Sequence, residues 1–193
     1  MLLHCEPTQP IYIIGTGPYA RELQAWMIRD GHANVRSISH DAVDTVPINS
    51  QLMLAFTGMQ YRKTFLSETK VQNYVWPAFI HSMALVTDLD SISPGVIVNP
   101  MSVVGHGVVL QDFCLVGALS KVGHGTQVGR NTVISPGCNL AGSSRIGHNV
   151  HFSQSCSICD KITICDDTYF AMNSVVKKNI TKPGRYYGDR KLP

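Results

Sequence analysis

Every sixth residue from Ile80 is aliphatic or phenylalanine: Val86, Ile92, Val98, Val104, Leu110, Val116, Val122, Val128, Ile134, Leu140, Ile146, Phe152, Ile158, Ile164, Phe170 and Val176. The residue after each of these is often small, as at Gly105, Gly117, Gly123, Gly129, Ala141, Gly147, Ser153 and Ala171. Three positions further on, small or β-branched residues recur: Ser102, Thr126, Thr132, Ser144, Val150 and Ser174. A period of six fits neither the 3.6-residue α-helix nor a meander with a turn every 8–12 residues. It fits short strands that bend at a small residue on every sixth step, which is a parallel β-helix. Three sides of one hexad each close a coil, so positions 80–175 supply sixteen hexads, a little over five coils. Residues three hexads apart then stack about 4.8 Å from each other along the prism.

That spacing relates two copies of one tripeptide, Gly105-His106-Gly107 and Gly123-His124-Gly125. The two histidines are expected on one edge, stacked on adjacent coils. The cysteines obey the same register. Cys138 and Cys156 share one small position and Cys159 and Cys165 another, which reads as apolar filling rather than as a metal or redox site, despite the spelling "CSIC". No His-x4-His pair is present, so no metal site is expected.

Positions 1–77 lack the period and read as a small α/β domain, with the β-helix over positions 78–193 and Pro77 at the boundary. "IYIIG" is a compact apolar run expected to form a buried strand. A glycine turn follows, then a helical pattern with Ala20, Leu23, Trp26 and Met27 on one face, ending at Gly31. Strands are expected at Val35–Ile38, Leu52–Thr57 and near Tyr74–Trp76, with a helix at Gln60–Thr69. Gly15, Thr16 and Gly17 form a turn of the Gly-x-Gly-x-x-Ala type, which aims backbone N–H groups and a helix N-terminus at a phosphate or base. A unit of this size makes only half of a dinucleotide fold, so a mononucleotide half-site is expected. Asp41, past the second strand, joins it as a candidate nucleotide-sugar contact. A glycine turn needed only for strand–helix packing is the alternative.

The bulk composition narrows the partners. Charged residues make up 15% and the net charge is +3, a balance that suggests no nucleic-acid partner. No apolar run approaches the ~20 residues of a membrane span. The opening "MLLHCEPTQP" lacks a basic region followed by an apolar stretch, so no signal peptide is expected and the six cysteines are expected as cytoplasmic thiols.

An α/β unit opening "IIGTGPYARE" and joined directly to hexads resembles the hexapeptide-repeat sugar O- and N-acyltransferases, the family of the UDP-4-amino-sugar N-acetyltransferases and sialic acid O-acetyltransferases. The resemblance covers nearly the whole chain. It implies a left-handed β-helix, a homotrimer, acetyl-CoA as cosubstrate without a metal, and a nucleotide sugar as acceptor. Through "KVGHGTQVGRNTVISPGCNLAGSSRIG" (Lys121–Gly147) it implies that His124 is the general base. It also implies that the N–H of Gly142, beside Ala141, contacts the thioester. The carboxylate that follows the family's base is replaced by Gly125, which leaves His106 as candidate support for the ring. A second family histidine, which touches acyl-CoA, falls at Val133. The family tail Gly-x-Pro-Ala-Lys is replaced by "YGDRKLP". The basic tail, with Lys182 and Arg185, lies where this family places the phosphates of CoA. The implied reaction is acyl transfer from acyl-CoA to the amino group of a nucleotide sugar by direct attack. Sugar O-acetylation, and a non-catalytic nucleotide-sugar-binding or scaffold role, are the alternatives.

Overall fold

A computed structural model describes residues 10–68 and 71–193. Strands β1 (Ile11–Ile14), β2 (Val35–Ile38) and β3 (Gln51–Leu54) pair in parallel, in the order β2-β1-β3. The apolar runs of β1 and β3 carry little alternation because this sheet is covered on both faces. Helix α1 (Pro18–Arg29) has a proline in its first turn, where the missing N–H has no helical partner to lose. It buries Ala20, Leu23 and Met27 against one face of the sheet. Helix α2 (Met59–Glu68) buries Arg62, Phe65 and Leu66. Its expected end at Thr69 lies outside the described residues. The strand expected near Tyr74–Trp76 is a single bridge instead, Val75 to Gln51. The chain leaves the sheet there because the Trp76 carbonyl already accepts from Gly95 N–H (2.9 Å) in the prism and Pro77 has no N–H to offer.

From Phe79 the chain winds into a three-faced prism whose parallel pairs are offset by three hexads, as in Lys121↔Val103 and Lys121↔Asn139. Face I starts at Phe79–Ile80 and climbs through Ile97–Val98, Leu115–Val116, Val133–Ile134, His151–Phe152 and Thr168–Phe170 to Gly184–Tyr187. Face II runs from Leu85–Val86 to Val175–Val176, and face III from Val109–Leu110 to Thr163–Ile164. Of the residues in the six-residue series, only Ile80 and Val86, in the first coil, are half-buried; the others form the prism core. Buried hydroxyls in the second interior series turn back on backbone carbonyls: Ser102 to Gly117 (2.8 Å), Ser120 to Ser135 (3.0 Å) and Thr132 to Gly147 (3.0 Å). Their polarity is thereby satisfied inside an apolar stack.

The corners differ from expectation in one respect. The chain does not bend at the small residue after the core position. It bends two residues later, where Met101, Phe113, Leu119, Asn131, Ser143, Asn149 and others take positive φ at intervals of one or more hexads. The small residue has another cause. A Cβ at Gly117, Gly123 or Gly129 would come within 2.5–2.6 Å of the next coil's backbone. Cys138 and Cys156 fill the interior as expected, and Cys114 joins them; Cys165 is partly buried against the core, but Cys159 is exposed.

The α/β unit covers face I. Outward-facing Phe79, Ile97, Leu115 and Val133 merge with Ile11, Ile13, Ala20, Leu23 and Met27 into one apolar seam. Polar ties rim it: Tyr19 Oη to Asn99 Oδ1 (3.3 Å), Asp30 accepting from Ser82, and Lys63 to Asp167 (2.7 Å). Among the described residues, no helix is long and apolar enough to cross a membrane.

Candidate active site

The edge between faces II and III lies across the prism from the α/β unit. There the turn Gly123-His124-Gly125-Thr126 joins the strands Lys121–Val122 and Gln127–Val128. His124 is exposed, and its imidazole lies against the α-carbon of Gly142 on the next coil. A Cβ at Gly142 would sit 2.8 Å from both Cε1 and Nε2 of the ring. The backbone at Gly142 is not left-handed, so the ring itself is what demands glycine there. The Gly142 N–H has no acceptor among the described residues, and the neighbouring Ser143 N–H donates to the His124 carbonyl (2.7 Å). A ring nitrogen able to take a proton and a free backbone N–H therefore stand side by side, with Ala141 half-buried beside them. Gly142→Ala is expected to keep the fold and to lower turnover by roughly 10²-fold, because misplacing a reacting group by about 1 Å costs that much. Steady-state kinetics beside a circular dichroism melt check it.

Gly125 takes φ +66, and its nearest neighbour, Ser143 Oγ, would lie 3.6 Å from an added Cβ. His124's ring has no hydrogen-bond partner among the described residues. His106 does not supply one. The two residues do stack on adjacent coils at one edge, with Gly125 N–H donating to the His106 carbonyl (2.9 Å), but the His106 ring turns to the preceding coil, where its Nδ1 lies 3.0 Å from Asp88 Oδ2. Asp88 also accepts from Gly107 N–H at 2.5 Å. That N–H first, and His106 after it, hold the Asp88 carboxyl below its ordinary pKa.

Val133 requires a correction. It faces outward on face I, but the α/β unit buries it completely, so within this chain it cannot touch a CoA at the His124 edge. Arg185 is also on face I, its guanidinium 5.0 Å above the Tyr169 ring, and Lys182 is exposed nearby. Gly15 has φ +133 and packs 3.1 Å (as an added Cβ) from the Ala55 carbonyl, a crossing that only glycine fits. Thr16 presents its carbonyl to Arg21 (3.0 Å), and around Gly17 there is open space. Asp41 pairs with His40 (3.0 Å) and lines a cavity of about 1100 Å³ with Asp44, Phe56, Tyr61, Glu68 and Tyr74. This cavity was not read from the sequence; its only trace there is the aromatic and polar outer face of α2. The structure thus brings His124, Gly125, Ala141 and Gly142 together and keeps Gly15, Thr16, Gly17 and Asp41 on the far side of the prism.

No protein-family model and no curated protein matches the chain. Solved structures do, and they show the fold: an α/β unit followed by a left-handed parallel β-helix, the architecture also found in several sugar acetyltransferases. One is the acetyltransferase domain of PglB from Neisseria gonorrhoeae in complex with acetyl coenzyme A, at 19% identity and TM-score 0.85, covering 96% of this chain and 99% of that one. A second is PerB from Caulobacter crescentus in complex with CoA and GDP-perosamine, at 17% identity and TM-score 0.79, covering 91% and 92%. A third is WeeI from Acinetobacter baumannii, at 13% identity and TM-score 0.60, covering 96% and 100%.

Proposed function

We propose that the protein transfers an acetyl group from acetyl-CoA to an amino group of a nucleotide sugar. The observation that carries this reading is the contact of the exposed His124 imidazole with Gly142, whose N–H is free. The acceptor amine attacks the thioester carbonyl, and His124 takes a proton from it. The Gly142 N–H stabilises the oxyanion of the tetrahedral intermediate. The C–S bond then breaks, and CoA leaves as the thiol after taking up a proton. No covalent acyl-enzyme is needed. The CoA and GDP-perosamine bound by similar folds support the two substrates.

The geometry also supports a homotrimer. A sugar nucleotide held by the α/β unit on face I reaches a His124 edge only on a second copy. Face II beside that edge, with its lower corner, exposes Met83, Leu85, Met101, Val103 and Leu119, an apolar patch suited to burial between copies. Lys182 and Arg185 then serve the phosphates of a CoA held at a neighbouring copy's edge.

The test is release of free thiol from acetyl-CoA with a panel of UDP-, dTDP- and GDP-linked amino sugars, and with the matching hydroxy sugars to separate N- from O-acetylation. Thiol release with an amino sugar supports the reading. Release with hydroxy sugars alone makes the protein an O-acetyltransferase, and binding of nucleotide sugars without release makes it a non-catalytic binder. Sedimentation at micromolar concentration is expected to give a trimer of the 21.2 kDa chain; a monomer with full activity refutes the shared site.

A further inference from the structure

The fold places an imidazole–carboxylate pair one coil below His124, and the reading above leaves it without a task. His106 is 83% exposed at its side chain, yet its orientation is fixed: Nδ1 faces Asp88 at 3.0 Å, and Asp88 is itself fixed by the Gly107 N–H. With Nδ1–H donating to the carboxylate, Nε2 carries the lone pair and faces outward. His124 leans toward the following coil, against Gly142, and His106 toward the preceding one. The two rings therefore lie on one edge, one coil apart in register, and lean in opposite directions. The titratable groups in coil register with His106 are Asp88 below, His124 above and Asp90 on the turn of Asp88.

N-acetylation needs two proton removals, and this follows from the balance of the reaction. A sugar amine flanked by electron-withdrawing oxygens titrates near the α-amino value of about 8, so at neutral pH it is mostly ammonium. An ammonium has no lone pair and cannot attack. It must lose one proton before the N–C bond forms and a second from the tetrahedral intermediate. One of these ends on the departing thiolate and the other in solvent. A single imidazole that keeps its first proton cannot take the second.

We infer that His106, positioned by Asp88, is a second catalytic base that accepts the first proton from the acceptor ammonium and passes it to water, leaving His124 to take the second and return it to the CoA thiolate. This rests on the N-acetyltransferase reading. The Asp88 carboxylate attracts the ammonium and balances the imidazolium that forms, and the exposure of His106 suits release to solvent.

The experiment is the pH profile of kcat/KM for acetyl transfer to an amino sugar nucleotide accepted by the wild type, from pH 6 to 9.5. His106→Ala is expected to be about tenfold slower at pH 7, where roughly a tenth of such an amine is free, and close to wild type at pH 9, where it is deprotonated without help. Its acid limb should move up toward the pKa of the amine. Asp88→Asn keeps an acceptor for Gly107 N–H and should shift the limb in the same direction. His124→Ala should stay slow across the range. A His106→Ala profile that overlays the wild type, or that is depressed equally at pH 7 and pH 9, overturns the inference and leaves the acetyltransferase reading intact. A wild type that acetylates no amine overturns both.

Discussion

His124→Ala is expected to lower kcat by ~10²–10⁴-fold, the range for loss of a general base, with little change in acetyl-CoA affinity. The variant should fold normally. The ring is exposed and has no hydrogen-bond partner among the described residues, and such surface truncations usually change stability by less than about 0.5 kcal/mol. A large kinetic loss beside an unchanged melting curve therefore reports chemistry. Gly125→Asp sharpens the test. The left-handed corner at Gly125 suits Asp better than most residues, and Asp167 already occupies an equivalent corner at φ 53. A carboxylate there favours the imidazolium form of the neighbouring ring. The base must be neutral to accept a proton, so the acid limb of the pH–rate profile should move to higher pH. Wild-type turnover in His124→Ala would remove this residue from the mechanism.

The coil was legible because its core positions tolerate no exception: a polar residue there would be buried among aliphatics on every side. The corners were not, because the left-handed residue is Met, Phe, Leu, Asn, Ser or Lys as readily as glycine, and the closed geometry of the coil overrides local preference. The seam with the α/β unit was present at a spacing of three hexads. Phe79, Ile97, Leu115 and Val133 precede core residues on face I, while Lys121, Asn139 and Ser157 hold the same position on face II. Read hexad by hexad, those outward positions mix and the signal cancels; read coil by coil, one face is apolar. Val133 was misplaced for that reason, since its match to a ligand-contacting position ignored which face it occupies. Asp88 stands one full coil before His106, so the pair was available by arithmetic. It was hidden because the first coil is irregular, with a 3₁₀ turn at Leu89–Ser91 in place of a strand.

Arg62→Ala is expected to destabilise the protein by roughly 3 kcal/mol or more, the cost of stranding the three buried oxygens its guanidinium satisfies. Arg62 is 1% exposed and has no carboxylate partner among the described residues. Its Nε donates to Asn131 Oδ1 (2.8 Å), Nη1 to the Phe56 carbonyl (2.9 Å) and Nη2 to the Phe113 carbonyl (2.5 Å). Burial pulls its pKa down to about 10, so it remains charged at neutral pH. Phe56 belongs to the α/β unit, and Phe113 and Asn131 are corner residues of the prism. One guanidinium thus ties the two units, with two donors reaching the prism and the third held by the α/β unit's own Phe56. Alanine leaves those oxygens buried without a donor, at roughly 1–3 kcal/mol each where water cannot reach them. Arg62→Met refills the volume and should recover only the packing share of the loss. The consequence should be local before it is global, because the prism's stacked coils do not depend on this residue. Hydrogen exchange should therefore accelerate in β1, β3 and α2 while amides of the central coils keep their protection. Uniform acceleration along the whole chain would show that the two units unfold as one, and an unchanged melting temperature would show that the tie carries no net stability.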